Sequence, residues 1–311
     1  MNKTFTAYSG NSAYCYSNSL RMCLEQAGMD HLPATGLIEC MTGMPFGATF
    51  LQLENPLFFP NPTPIDPDSG VTSALETLGW ECKLWRSNEA DAASAKLRGV
   101  LSSGPVLLGP LDMGFLSYDP NHQHKRGGDH FVVALKLQGG MVQVHDPQLY
   151  PFAILPLDDL IRALYAKDLG YAEQAYTLRF DFQAQRRDTR HAMLDATLQN
   201  ARELIHAHPA GPVVYGGPGA FTRVSEMLRQ DPMGNFIDLL IHFALPVGAR
   251  RSTDAAYFLE EVGEAETANL FITRAETFGK AQYYGVQQKW DDVAGLFDDL
   301  AQIEAEIAAH L

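Results

Sequence analysis

Gly127-Gly128-Asp129-His130-Phe131-Val132-Val133-Ala134-Leu135-Lys136-Leu137, then Gln138-Gly139-Gly140, then Met141-Val142-Gln143-Val144-His145-Asp146-Pro147 is the stretch on which the fold turns. Two apolar, β-branched runs flank a glycine pair, which is the pattern of a β-hairpin. Antiparallel pairing sets the start of the first run beside the end of the second, so His130 and Asp146 become neighbours. A carboxylate that holds an imidazole is half of a nucleophilic apparatus, and the other half is a Cys or a Ser. His145 has the opposite strand parity to Asp146 and is expected to face away from it, as Asp129 is from His130.

Working outward, the thiol candidate lies near the N-terminus. From about Asn11 to Gly28 the spacing is helical, with Cys15, Ser19, Met22, Cys23 and Gln26 near one face and Gly28 as the stop. A thiol in the first turn of a helix meets the positive end of the helix dipole, which favours thiolate, and the amides there can donate to an oxyanion. Read alone, Cys15 is better taken as a small core residue on an apolar face; the His130/Asp146 hairpin reverses that and favours the nucleophile. Cys23, two turns deeper, reads as core, and Cys40 and Cys82 lack any partnering pattern. Asn11 is the candidate side-chain oxyanion donor, with Ser9 and Ser12 as alternatives and helix capping as its competing role. Asn18, on the first helical turn, is a second polar candidate for substrate binding, set against a structural hydrogen bonder.

Composition bounds the function. A chain of 311 residues with 46% hydrophobic and 19% charged residues can bury a sizeable core. A formal net charge of −14 disfavours a nucleic-acid or anionic membrane partner. No apolar run approaches the roughly 20 residues of a membrane span, and the N-terminus lacks a signal-peptide core, so a cytoplasmic location is expected. There the four cysteines are expected to be free thiols. No His/Cys spacing fits a zinc site, and His122-Gln123-His124 reads as a solvated loop, so no metal is expected. Gly216-Gly217-Pro218-Gly219 lacks the Lys-Ser/Thr of a phosphate loop and reads as a turn into a helix. Arg186-Arg187 with Arg190, and Arg250-Arg251, read as solvated loop or linker charges.

The two halves differ. Thr42 to Ser69, rich in Pro and Gly, reads mostly as loop. Helices are expected over 71–78, 89–102 and 157–166, and strands over 80–85, 104–110 and 175–182, besides the hairpin. Gln183 to Thr189 reads as a linker. Helical periodicity then covers 191–207, 219–230, 235–245, 253–262, 264–278 and 288–311. The expected fold class is α+β over 1–183 followed by an all-helical domain over 190–311.

Tyr14-Cys15-Tyr16-Ser17-Asn18-Ser19-Leu20, Gly104-Pro105-Val106-Leu107-Leu108 with Leu111-Asp112, His130-Phe131-Val132-Val133 and Val144-His145-Asp146-Pro147 occur in an order that resembles the papain-like cysteine-protease fold. They are most similar to the butirosin biosynthesis protein H family, over about residues 10 to 180. The resemblance implies acyl transfer: Cys15 takes an acyl group as a thioester, His130 moves the proton, and Asp146 orients His130. It further implies a carrier-protein or CoA thioester donor and a small amine or alcohol acceptor, in specialised-metabolite biosynthesis. No cofactor is expected, because thioester exchange onto a thiol is nearly thermoneutral. Ser9 stands where peptidase relatives carry a Gln. A hydrolase on the same triad and a non-catalytic binding protein are the competing expectations. The helical half is expected either to cover the cleft or to serve a homodimer. An acidic carrier would need a local basic patch, such as the arginines above.

Overall fold

The computed structural model describes residues 5–11, 13–63, 65–167, 169–209, 211–230 and 234–311. The elements run α1 (Cys15–Gln26), α2 (Thr35–Met41), β1 (Thr49–Leu51), β2 (Leu57–Phe59), α3 (Pro67–Leu78), β3 (Trp80–Ser87), α4 (Ala90–Val100), β4 (Val106–Asp112), β5 (Asp129–Gln138), β6 (Met141–Asp146), β7 (Tyr150–Pro156), α5 (Leu157–Ala163) and β8 (Tyr176–Ala184). They continue α6 (Arg190–Ile205), β9 (Val214–Gly216), α7 (Pro218–Gln230), α8 (Gly234–Leu239), a π-helical turn (Leu240–Ala244), α9 (Leu245–Glu261), α10 (Ala265–Val286) and α11 (Trp290–His310). The chain is α+β, with an N-terminal helix and a six-stranded antiparallel sheet followed by a helical C-terminal region. It divides into two compact units: Met1–Ile38 with Pro67–Arg187, and Glu39–Asp66 with Asp188–Leu311. The sequence boundary at the linker is linear, whereas the second unit also takes in 39–66.

In the first unit the sheet order is β3-β8-β4-β5-β6-β7. The hairpin forms as its pattern dictates: Gly139 and Gly140 have φ of 58° and 81°, the left-handed pair that a tight two-residue turn demands. Val133 pairs with His145 and Ala134 with Val144. Continuing that register by one residue sets Asp146 opposite Val132, on the strand face shared by His130. One sheet-centred core gathers Val106, Leu108, Val132, Val142, Val144, Leu155 and Leu178 with Leu97 of α4 and Leu160 of α5. Each such side chain, fully buried, contributes roughly 1.5–3 kcal/mol.

Helix α1 packs against β5, where the Tyr16 and Phe131 rings meet edge-on at 5.9 Å and Ser19 Oγ donates to the Phe131 carbonyl. It ends in paired reverse hydrogen bonds, Met29 N to Leu24 O and Gly28 N to Glu25 O, which satisfy the last carbonyls.

The second unit packs α7, the π turn, α9, α10 and α11 around Phe221, Phe236, Phe278 and Phe297, with Phe50 and Phe58 from the 39–66 segment in the same core. This unit is not all-helical: β9 pairs with β1, and β1 with β2, in a small antiparallel sheet. The Thr42–Ser69 stretch is accordingly less irregular than its composition suggests, holding β1 and β2. Helix α3 begins at Pro67, four residues before the sequence reading. A proline is accepted in the first helical turn because its missing N–H has no helical acceptor there.

Candidate active site

The site lies within the first unit and is built at three element ends. Cys15 is the first residue of α1 and is half-buried. Tyr14, immediately before it, is held at φ 56° and ψ 50°. That left-handed conformation costs an aromatic residue on the order of 1–2 kcal/mol, and such outliers cluster where a chain is aimed for function. His130 enters β5 opposite Leu111 of β4. Asp146 leaves β6 beside a break in the β6–β7 register, a position at which bulges re-aim side chains.

His130 Nε2 and Asp146 Oδ1 are 2.6 Å apart, both side chains buried. The Cys15 side chain is hydrogen-bonded to the same imidazole. With Nε2 engaged by Asp146, Nδ1 is the ring nitrogen left for the thiol. The structure thus brings Cys15, His130 and Asp146 into one line. Burial alone would push the His130 pKa down, but the charges and hydrogen bonds of Asp146 and Cys15 outweigh it and raise it to about 10. Burial likewise opposes the Asp146 charge, and His130, the Gln148 amide and Tyr118 together hold its carboxyl below the usual range. Such a line favours an imidazolium beside the Cys15 sulfur, the arrangement that activates a nucleophile.

Three residues not singled out in the sequence, Tyr118, Tyr8 and Gln148, complete the surroundings of Asp146. Tyr118 donates to Asp146 Oδ2 at 2.8 Å. Tyr8 donates to the Asp146 carbonyl at 3.0 Å and accepts from Leu149 N at 2.9 Å. The Gln148 amide, 2.7 Å from Asp146 Oδ1, closes an Asx-type turn, a feature legible in Asp146-Pro147-Gln148.

The polar candidates beside Cys15 have other partners. Asn18 Nδ2 donates to Asn11 Oδ1 (2.9 Å), Ala13 O (2.8 Å) and Tyr14 O (3.1 Å). Its Oδ1 accepts from Ser9 Oγ (2.9 Å) and Thr35 Oγ1 (3.1 Å). Two N–H groups with three acceptors leave none to aim at a substrate, so Asn18 is a structural hub rather than an oxyanion donor. Ser9 spends its hydroxyl hydrogen on that hub. Asn11 is exposed and serves it as acceptor. Ser12 lies outside the described residues, as do residues 1–4.

His145 does face away from Asp146: its Nε2 bonds the Thr6 carbonyl at 3.0 Å and its Nδ1 accepts from Phe152 N at 3.1 Å. Asp129 accepts from Tyr171 Oη at 2.6 Å. His122 Nδ1 bonds the Gly114 carbonyl at 2.7 Å. Among the described residues no group of three or more His, Cys, Asp or Glu is arranged to hold a metal ion, and no helix is long and apolar enough to cross a membrane. All four cysteines are free thiols. Burial pushes the Cys23 and Cys40 thiols well up and raises Cys82 to about 11, the last against the pull of Arg179.

Of the arginines read as solvated charges, Arg186, Arg187, Arg190 and Arg250 are exposed, and Arg251 is not. Arg190 grips Glu261 with Nε and Nη2 at 2.6 and 2.9 Å, and Arg250 pairs with Asp254 at 2.9 Å. Arg251 is buried, bonded to Glu39 Oε1 and the Pro60 carbonyl, both at 3.0 Å. Gly216 ends β9 and Pro218 opens α7, so the glycine-rich segment is a strand-to-helix turn.

Comparison with known proteins places the likeness partly elsewhere. Residues 211–311 match the family described as the YobF C-terminal domain. The whole chain is similar to a Bacillus subtilis (strain 168) protein described as "Uncharacterized protein YobF", 27% identical over 316 residues that cover 98% of this chain and 97% of that one. The family match falls in the second unit and does not include Cys15, His130 or Asp146.

Proposed function

We propose that this chain is a cysteine-dependent acyltransferase that draws an acyl group from a thioester, on a carrier protein or CoA, and passes it to a small amine or alcohol. The observation that carries the reading is the continuous line from the Cys15 thiol through His130 to the doubly anchored Asp146 carboxylate. In the first half-reaction Cys15 Sγ attacks the donor carbonyl carbon, the donor C–S bond breaks, and the departing thiolate takes a proton from His130. In the second the acceptor nitrogen or oxygen attacks the acyl-Cys15 carbonyl, His130 removes its proton, and Cys15 leaves as thiolate. The two thioesters are close in energy, so the first step needs no nucleotide. The Cys15 amide, at a helix position where N–H groups lack helical acceptors, supplies an oxyanion donor. The resemblance to the butirosin biosynthesis protein H family, with its papain-like catalytic domain, supports a transferase over a peptidase.

The test loads the protein with an acyl N-acetylcysteamine thioester, adds a panel of primary amines and alcohols, and quantifies products. Amide or ester formed faster than free acid, and lost in Cys15→Ser, is the expected result. An adduct that decays only to free acid, whatever acceptor is present, replaces the transferase by a hydrolase on the same residues. Absence of any adduct removes both.

A further inference from the structure

Asp146 is held from both oxygens and from its backbone, by groups on four separate segments. Tyr118 Oη donates to Oδ2 at 2.8 Å, while Oδ1 takes His130 Nε2 and Gln148 N. Tyr118 is itself fixed. Its ring lies against Tyr150 with centroids 5.4 Å apart, and Tyr150 bonds Asp119. Asp119 is buried, capped by Asn121 N at 2.9 Å and paired with Lys125 Nζ at 2.7 Å. Lys125 also donates to Gln148 Oε1 at 3.1 Å, and the Gln148 amide returns to Asp146. The contacts therefore close on themselves: Asp146, Tyr118, Tyr150, Asp119, Lys125, Gln148, Asp146.

This closed clamp exceeds what holding a loop requires, because its ends converge on the two oxygens of a single carboxylate. A carboxylate bonded through one oxygen can rotate or accept a proton on the other. One bonded through both keeps its plane and its charge. We infer that Tyr118 is a positioning residue for the acyl-transfer site, acting through Asp146 to fix the orientation of His130, with Tyr150, Asp119 and Lys125 holding Tyr118 in place. The inference rests on the proposed role of Cys15 and His130.

The sign of its effect follows from the groups around Asp146: His130 from β5, Tyr118 from the segment before β5, Tyr150 from β7 and Tyr8 from the N-terminal segment. Among the described residues His130 supplies the positive charge at the carboxylate, His130, Tyr118 and the Gln148 amide donate to it, and the Asp119–Lys125 pair stands one contact further out. Removing the Tyr118 hydroxyl makes Asp146 easier to protonate, so its support of His130 fails at a higher pH.

The test follows alkylation of Cys15 by iodoacetamide, read by intact mass from pH 4 to 9, in the full chain and in Tyr118→Phe, Asp146→Asn and the double variant. Phenylalanine keeps the ring against Tyr150, and melting curves recorded alongside check the fold. Tyr118→Phe is expected to slow alkylation about tenfold at neutral pH and to move the acid limb up by about one pH unit. In the Asp146→Asn background the same change is expected to cost less than about twofold, since coupled groups are non-additive. The His130 ring proton shared with Asp146, seen by NMR at low field, is expected to shift in Tyr118→Phe. An unchanged rate profile, or an equal slowing in both backgrounds with the NMR signal unmoved, overturns the inference while leaving the proposed function intact. Alkylation of Cys15 no faster than of the other thiols, in the unaltered chain, overturns the proposed function and this inference with it.

Discussion

His130 and Asp146 titrate as a buried pair, and their pKa shifts set where the pair stabilises the fold. His130 is raised from about 6.5 to about 10, so its contribution is complete below about 6.5 and is lost as pH rises through about 10. Asp146 is lowered from 3.8, so its contribution is present above 3.8 and is lost as pH falls through its lower folded value. The stability difference between the unaltered chain and Asp146→Asn is thus expected to be greatest between about pH 5 and 6.5 and to shrink towards pH 10. Melting temperatures across pH 5 to 11 check this, and a difference that grows above pH 9 contradicts it. His130→Ala strands a buried carboxylate and is expected to cost about 3–5 kcal/mol at pH 7. Cys15, His130 and Asp146 could be singled out in the sequence because each sits at an element end with a chemical reason to be there. Tyr118 could not, because it lies in an aperiodic segment whose position only the folded chain reveals. Asn18 takes the structural one of its two expected roles: it accepts from Ser9 and Thr35 and donates to Asn11, Ala13 and Tyr14, partners that sequence spacing alone does not count.

Elements position these residues through a few close contacts. A Cβ on Gly109 of β4 would lie 2.3 Å from Phe131 Cδ1, the ring that also meets Tyr16 of α1. Gly109→Ala is expected to destabilise by about 1–3 kcal/mol. Because Phe131 adjoins His130, it is also expected to slow Cys15 alkylation; a denaturant titration and the alkylation assay check both, and a neutral substitution contradicts the packing account. The hairpin, α1, α4, α5 and most long helices were readable from periodicity. Strand β7 was not, since Pro151 and Pro156 interrupt its pattern; both are tolerated because β7 is the edge of the sheet. Strands β1, β2 and β9 have three residues each, too few to show alternation, and β9 joins the other two by pairing with β1 across more than half the chain. Helix α9 begins at Leu245, eight residues before the sequence reading, with Pro246 accepted in its first turn after the π turn.

At the scale of the whole molecule, the second unit is assembled from two stretches of chain. The Phe58 ring meets Phe221 at a tilt and Phe297 edge-on, with centroids 5.6 and 5.5 Å apart, Glu39 bonds buried Arg251, and the Pro45 carbonyl accepts from buried Arg274 at 3.0 Å. A fragment of residues 188–311 therefore lacks core aromatics and leaves two buried guanidinium groups short of acceptors. It is expected to show no cooperative melting, and addition of a 39–66 peptide to restore it. A fragment that melts alone as sharply as the full chain contradicts the two-stretch account. The excursion was hidden in the sequence because its Pro-rich composition looks like loop, while its contribution comes from a few aromatics and one buried acid.

The site itself stands or falls on the sulfur of Cys15. The most direct measurement is the intact mass of the unaltered chain and of Cys15→Ser after brief exposure to an acyl N-acetylcysteamine thioester at pH 7. One added acyl group is expected on the unaltered chain, mapped to the peptide carrying Cys15, and none on Cys15→Ser. Equal labelling of both proteins, or of neither, would contradict it.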